Sequence, residues 1–135
     1  MVEIKIEYQG DLRCLARHGP SGKTVITDAP VDNHGKGESF SPTDLAATAL
    51  GTCMATIMGI YAQRHAIDLK GMAIHVEKHM LENPRRIGKL ILDFQVPVKV
   101  DDAQKKALES SALTCPVHKS LDPKIDIQIH FHYPE

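Results

Sequence analysis

The sequence predicts an α+β fold whose strands pair largely in antiparallel fashion. Three alternating segments come first, a long helical segment follows, and two alternating, two helical and one final alternating segment complete the chain. This order, βββ, α, ββ, α, α, β, lacks the strict strand and helix alternation of a doubly wound parallel sheet. The length of 135 residues suits one domain, so we expect residues 1–135 to form a single domain.

The first three strands are predicted from alternating apolar and polar residues. Residues 2–8 alternate in this way, and YQGD supplies a turn into a second run over 12–16, which indicates a hairpin. The GPSG turn then leads into a third strand, KTVITD, at 23–28. Residues 29–42 contain proline, glycine, asparagine and aspartate and form a long loop. Long loops inside compact domains are more often functional than idle.

A long helix is predicted to begin near Ser41 and to end at about Arg64. Ser41 suits the N-cap, Pro42 suits the first helical position, and Asp44 supplies an acidic residue at N3. Apolar residues then recur at three- and four-residue steps and make one broad apolar face that includes Cys53. Threonines interrupt this run, so we expect it to be too polar to span a bilayer.

The remaining elements are predicted as two strands, two helices and a final strand. Residues 72–81 and 87–98 are predicted as two long strands, and Pro97 near the end of the second indicates an edge strand. Helical spacing returns over 101–113, and a short helix follows at CPV. The segment KIDIQIHFHY alternates again and is predicted as the last strand.

Composition and charge argue against several functional classes. The net charge is -1 and aromatic residues make up 4% of the chain, so neither a basic footprint nor a stacking surface for nucleic acid is present. The first ten residues alternate as a strand rather than as a secretory signal, so we expect a cytoplasmic protein. In that compartment three cysteines do not form a disulfide framework, which leaves redox, catalytic or metal-binding roles for a thiol.

Two cysteines are candidates for such a role. Cys115 directly precedes Pro116 at a predicted N-cap, where the helix dipole favours a thiolate, so we expect it to ionise more readily than an average thiol. Cys53 lies on the apolar helical face, where the alternative interpretation is a small core residue. The two could meet in space as attacking and resolving thiols. Cys14, in a predicted strand, is interpreted as structural.

Eight histidines raise the question of a metal site. His75 and His79 lie four residues apart on a predicted strand, and His130 and His132 share one strand face. The chain has no CxxC motif and no helical HxxxH motif, so a closed zinc site would need ligands gathered from distant segments. We therefore expect no metal.

Two segments together carry a resemblance to a known family. The segments FSPTDLAATALGTCMATIM, at 40–58, and LTCPVHKSL, at 113–121, resemble the OsmC/Ohr family of osmotically inducible and organic-hydroperoxide-resistance proteins. The resemblance covers essentially the whole chain, and the two motifs are more specific as a pair than singly. It implies an intertwined homodimer in which antiparallel sheets wrap long central helices, with active sites at the subunit interface.

The same resemblance implies a thiol-dependent peroxidase. Cys53 would attack the O–O bond of an organic or hydrogen peroxide and become a sulfenic acid, and Cys115 would resolve it as a disulfide. An external dithiol of the lipoyl-linked type would reduce that disulfide, without a metal, flavin or other cofactor. The implied partners are therefore a second copy of the chain, a peroxide and a dithiol, with no nucleic acid and no membrane.

The resemblance also points to charged residues. Arg13, with Arg17 as the alternative, matches the catalytic arginine of the family, and an arginine near a thiol lowers the thiol pKa. Thr43 stands where the organic-hydroperoxide branch has a glutamate, and Asp44 follows as a candidate whose capping role already accounts for it. Because that glutamate is absent, two alternatives stay open: a non-catalytic dimer that binds an apolar small ligand, and a redox sensor without turnover.

Overall fold

Six strands and three α-helices form the chain in the computed structural model, which describes all 135 residues. They are β1 (Ile4–Gly10), β2 (Arg13–His18), β3 (Thr24–Asp28), α1 (Pro42–Arg64), β4 (Ala73–Leu81), β5 (Arg86–Gln95), α2 (Asp102–Ala112), α3 (Pro116–Ser120) and β6 (Asp126–His132). The elements group into two compact units, Met1–Ala46 and Ala47–Glu135. The predicted α+β class is confirmed, and the assignment of one domain over the whole chain stays a prediction.

The unit Met1–Ala46 contains an antiparallel sheet in the order β1, β2, β3. Its register sets Ile6 opposite Ala16, and Ala16 opposite Val25. The long loop that follows contains a short 3-10 helix, Val31–Asn33, and returns to the sheet where the Asp28 N–H donates to the Phe40 carbonyl at 3.1 Å. The predicted hairpin, third strand and loop are therefore all present.

Helix α1 begins as its sequence predicts. The Ser41 hydroxyl accepts a hydrogen bond from the Asp44 N–H at 3.1 Å, and the Asp44 carboxylate accepts one from the Ser41 N–H at 2.9 Å. This reciprocal pair is a capping box, which satisfies backbone donors that have no partner within the helix. Asp44 therefore has the structural role that its spacing from Ser41 indicated.

The buried side of α1 shares only Leu50 and Met54 with the predicted apolar face, which consists of Leu45, Ala46, Ala49, Leu50, Cys53, Met54, Ile57, Ile60 and Tyr61. The buried side consists of residues at three- and four-residue steps: Ala47, Leu50, Gly51, Met54, Met58 and Ala62. Gly51 allows a close approach, because a Cβ there would lie 3.2 Å from a methyl carbon of Val76. Ile60, which the predicted face included, is exposed. Since α1 carries apolar residues on several sides, their spacing alone does not select the side that the sheet covers.

By length and composition, α1 is apolar enough to cross a membrane. The threonines along it therefore do not exclude a bilayer by themselves, contrary to the argument from sequence. The core helix of a soluble protein passes the same test. The absence of a membrane partner stays a prediction.

The unit Ala47–Glu135 contains a second sheet, in the order β4, β5, β6. β4 and β5 are antiparallel, whereas β6 runs parallel to β5 after the chain passes through α2 and α3. The prediction that Pro97 marks an edge strand is wrong, because β5 is central and ends at Gln95, before the proline. Leu90, Leu92 and Phe94 on β5 are fully buried and form the centre of the core.

Candidate active site

The structure brings two of the predicted site residues together. Cys53 lies on α1, is partly buried and packs against the core of its unit. Cys115 is fully buried in the same unit, directly before α3. The Cys53 side chain is near enough to raise the pKa of the Cys115 thiol. Both are free cysteines, so the site contains two neighbouring reduced thiols.

Cys115 occupies the N-cap that its position before Pro116 predicted. Its Sγ accepts a hydrogen bond from the His118 main-chain N–H at 3.1 Å. This contact favours the thiolate, but burial raises the pKa of the Cys115 thiol, and the neighbouring Cys53 raises it as well. The expectation that Cys115 ionises more readily than an average thiol is therefore wrong.

The physical reason for this correction is desolvation. A thiolate that is removed from water loses its hydration, and one N–H donor replaces only part of it. The helix dipole adds little here, because α3 spans the five residues Pro116–Ser120 and few peptide dipoles align along it. At neutral pH, Cys115 is consequently a protonated thiol.

The two cysteines differ in their access to solvent. Cys53 is partly exposed, whereas the relative exposure of Cys115 is 0%. A small oxidant that arrives from solvent therefore reaches Cys53 first. This order of access agrees with Cys53 as the attacking thiol and Cys115 as the resolving thiol, and both roles stay predictions.

Arg13 lies in the other unit, Met1–Ala46, between two carboxylates. Its Nη2 is 3.1 Å from Glu38 Oε1 and 3.4 Å from Asp28 Oδ2. The Glu38 N–H also donates to Asp28 Oδ2 at 2.9 Å, so Asp28 connects β3, β2 and the long loop. Glu38 raises the pKa of the Arg13 guanidinium, and the Glu38 N–H, with the Arg13 charge, lowers the pKa of the Asp28 carboxyl. We call Arg13, Asp28 and Glu38 the charged cluster.

Sequence reasoning missed Asp28 and Glu38. Asp28 ends a strand and Glu38 lies in the loop, 15 and 25 residues from Arg13 as the printed sequence counts them. No helical or strand period relates positions so far apart, although an acidic residue at a strand end and another in a long loop were visible signals. The catalytic role that the resemblance implies for Arg13 stays a prediction.

The other predicted residues take structural positions. The Arg17 guanidinium donates to the Gly22 carbonyl at 3.3 Å across the turn between β2 and β3. Cys14 is partly buried on β2, opposite Tyr8 on β1 and Thr27 on β3. Asp44 caps α1 and, like Arg13, belongs to the unit Met1–Ala46. A role in catalysis for Asp44 stays a prediction.

Three histidines on the second sheet, His75, His79 and His132, lie near carboxylates. His79 Nε2 lies 3.2 Å from Glu77 Oε1 along β4, and His132 Nε2 lies 3.2 Å from Asp93 Oδ1 between β6 and β5. No group of three or more histidine, cysteine, aspartate or glutamate side chains is arranged to hold a metal ion. These contacts describe a polar sheet surface.

Comparison with known proteins identifies the family of the chain. Residues 35–130 match the OsmC-like protein family. The chain belongs to the OsmC-like family. The matched range contains both Cys53 and Cys115, together with Glu38 of the charged cluster. No curated protein sequence matches the chain.

Solved structures of OsmC-like proteins share the fold. A protein from Psychrobacter arcticus 273-4, named for osmotic stress induction and a detoxification response, is 47% identical, with 98% of this chain and 96% of that chain covered and a TM-score of 0.94. The organic hydroperoxide resistance protein OsmC from Legionella pneumophila is 15% identical, with 97% and 96% covered and a TM-score of 0.76. An organic hydroperoxide resistance protein from Vibrio cholerae with captopril in one active site is 16% identical, with 97% and 90% covered and a TM-score of 0.75. The latter two likenesses show the fold alone.

Proposed function

We propose that this OsmC-like protein is a cysteine-based peroxidase that reduces organic hydroperoxides or hydrogen peroxide. The observation that carries the proposal is a partly exposed Cys53 near a fully buried Cys115, whose pKa it raises. Its fold neighbours include organic hydroperoxide resistance proteins, which supports this substrate class. Cys53 is the thiol that meets the peroxide, and Cys115 is the resolving thiol.

The reaction proceeds in three steps. The Cys53 thiolate attacks one peroxide oxygen, so that an S–O bond forms, the O–O bond breaks and an alcohol or water leaves after protonation. Cys115 then attacks the Cys53 sulfur, which forms the disulfide and releases the oxygen as water. An external dithiol reduces the disulfide by exchange and is itself oxidised to a disulfide. No metal or flavin is needed to balance these steps.

We also propose that the protein works as a homodimer. The sheet of Met1–Ala46 presents apolar side chains that are exposed to solvent: Ile4, Ile6, Tyr8 and Val25. Ile6 and Val25 flank Ala16 in register, so these side chains form a continuous apolar face. A three-stranded sheet gains its stability from a covered apolar face, and a second copy of the chain is the occupant that the family resemblance implies.

The ligand-binding alternative finds less support in the cavities. A surface cavity of about 400 Å³ in Ala47–Glu135 is lined partly by small residues of α1, including Ala55 and Gly59. Asp68 and Lys70 also line it. Charged walls of this kind do not favour an apolar small molecule. A redox sensor would use the same two thiols but would be oxidised once, without catalytic turnover.

The test is consumption of cumene hydroperoxide and hydrogen peroxide with reduced lipoamide as the electron donor. Wild type, Cys53→Ser, Cys115→Ser and the matched control Cys14→Ser are compared. We expect turnover in wild type and in Cys14→Ser, none in Cys53→Ser, and oxidation without an intramolecular disulfide in Cys115→Ser. Equal consumption by Cys53→Ser and wild type would sink the proposal. A folded wild type that is oxidised once without cycling would favour the sensor.

A further inference from the structure

Two side chains bury a polar atom that has no hydrogen-bond partner in the protein, Asp28 at Oδ1 and His118 at Nδ1. Asp28 belongs to the charged cluster, where its other oxygen is paired. His118 lies on α3, three residues after Cys115, as the printed sequence shows. Buried polar atoms are paired in the large majority of cases, and exceptions often have a catalytic role.

His118 is already in contact with the thiol pair through its backbone. Its main-chain N–H donates to Cys115 Sγ at 3.1 Å, and Cys53 is near enough to raise the pKa of the Cys115 thiol. The imidazole Nδ1 belongs to the same residue as that N–H and has no hydrogen-bond partner in the resting protein, so the ring must turn toward the Cys115 sulfur before a proton can pass between them. In the neutral tautomer that carries its proton on Nε2, Nδ1 is an acceptor and can receive a proton.

The resolving step needs a proton acceptor. Only a thiolate is an effective nucleophile, yet burial and the neighbouring Cys53 raise the pKa of Cys115, so it remains protonated at neutral pH. Water cannot remove this proton readily, because Cys115 has no exposed surface. The leaving oxygen on Cys53 must gain a proton at the same time, since hydroxide is a poor leaving group.

We propose that the His118 imidazole carries the proton in the resolving step. Nδ1 accepts the Cys115 proton as the Cys115 sulfur forms its bond to the Cys53 sulfur. The S–O bond of the Cys53 sulfenic acid breaks, the electron pair of that bond leaves with the oxygen, and the imidazolium returns the proton so that water departs. This inference rests on the proposed peroxidase function and names the group that completes its second step.

The two contributions of His118 can be separated by mutation. Its main-chain N–H stabilises negative charge on the Cys115 sulfur and is retained in every variant at this position. In His118→Asn, an amide takes the place of the Nδ1 side of the ring and keeps hydrogen-bonding capacity, but it does not accept a proton near neutral pH. A purely structural role for the ring therefore predicts little change in this variant, whereas a proton-transfer role predicts a kinetic defect.

The experiment follows a single turnover with one equivalent of cumene hydroperoxide in a Cys14→Ser background. Samples are quenched at intervals, and mass spectrometry measures dimedone-trapped sulfenic acid at Cys53 and the Cys53–Cys115 disulfide. We expect His118→Asn to form the sulfenic acid at the wild-type rate and the disulfide about 100-fold more slowly, as loss of a general base predicts. The matched control His75→Asn, an exposed residue of β4, should match wild type.

The pH dependence supplies the readout that a structural role would not change. The defect of His118→Asn should shrink as the pH rises toward the raised pKa of Cys115, because a growing fraction of Cys115 is then already a thiolate and needs no proton acceptor. Disulfide formation at the wild-type rate at every pH would overturn the inference while leaving the peroxidase intact. A wild type that forms neither the sulfenic acid at Cys53 nor the Cys53–Cys115 disulfide would instead overturn the proposed function and this inference with it. Should His118→Asn lose the wild-type circular dichroism spectrum, His118→Gln provides the comparison.

Discussion

In Ala47–Glu135 the residues shielded from solvent are apolar, whereas in Met1–Ala46 they are Thr27, Asp28 and Ser41. Ala47–Glu135 gains its stability from a packed apolar core centred on β5. Met1–Ala46 is held together by hydrogen bonds and the charged cluster, and apolar side chains of its sheet, including Ile4 and Ile6, are exposed to solvent. Ala47–Glu135 therefore holds its two thiols against its own apolar core, whereas the sheet of Met1–Ala46 has an apolar face that is exposed to solvent.

The largest expected effect is a core truncation. Phe94 is fully buried and stacks on Phe131 with 5.0 Å between ring centroids, so Phe94→Ala should lower the free energy of unfolding by about 3–5 kcal/mol. Phe40→Ala is the matched control, because Phe40 is 51% exposed in Met1–Ala46 and should cost less than about 1 kcal/mol. Urea denaturation measures both. Equal losses of unfolding free energy in the two variants would show that the two units do not differ in their dependence on apolar packing.

A second test addresses the exposed apolar face. If a second copy covers it, the double variant Ile4→Lys with Ile6→Lys should weaken dimerisation at least about tenfold, because each buried isoleucine contributes about 1.5–3 kcal/mol. Glu7→Lys is the control, since Glu7 lies on the opposite face of β1. Analytical ultracentrifugation over a range of concentrations measures the change. A wild type that is monomeric at all concentrations would contradict the proposed homodimer.

The smallest expected effect concerns the charged cluster at acidic pH. The pKa of Asp28 is lowered in the folded protein, mainly by the Glu38 N–H and then by the Arg13 charge. A lowered carboxyl pKa contributes stability that is fully present above the unfolded value of about 4 and is lost as the pH falls through the folded pKa. Asp28→Asn should be less stable than wild type at neutral pH and should lack this acid-dependent loss.

Thermal unfolding between neutral and acidic pH measures the effect of Asp28→Asn. Glu7→Gln serves as the carboxylate control in the same unit, because Glu7 is exposed on β1. This control should retain the acid-dependent loss seen in wild type. Parallel curves for wild type and Asp28→Asn across the acidic range would show that the charged cluster does not stabilise Met1–Ala46 through Asp28.

Local features of the fold could be predicted from sequence because local physics determines them. The capping box of Ser41 and Asp44 and the N-cap position of Cys115 each involve residues three or fewer positions apart. The central place of β5 and its parallel partner β6 could not be predicted, since strand order depends on contacts between distant segments. The prediction of an edge strand from Pro97 failed because the proline follows β5 and does not interrupt the hydrogen bonds of that strand.

The candidate site was predictable in its residues but not in its electrostatics. Cys53 and Cys115 were identified from their positions and from the family resemblance, and the structure places them near enough for Cys53 to raise the pKa of Cys115. The direction of the Cys115 pKa shift could not be inferred, because burial of the thiol, which outweighs the N-cap contact, arises from the packing of α1, β5 and α2 into one core. The orphaned Nδ1 of His118 likewise becomes visible only once the ring is enclosed.

The central claim is that Cys53 and Cys115 act as one redox pair, and the most direct measurement is disulfide mapping after a single addition of peroxide. Protein treated with one equivalent of cumene hydroperoxide is alkylated, digested and analysed by mass spectrometry, with Cys14 as the internal reference thiol. We expect a linked peptide that joins Cys53 to Cys115, with Cys14 alkylated. Full alkylation of Cys53 and Cys115, or a disulfide that includes Cys14, would contradict the central claim.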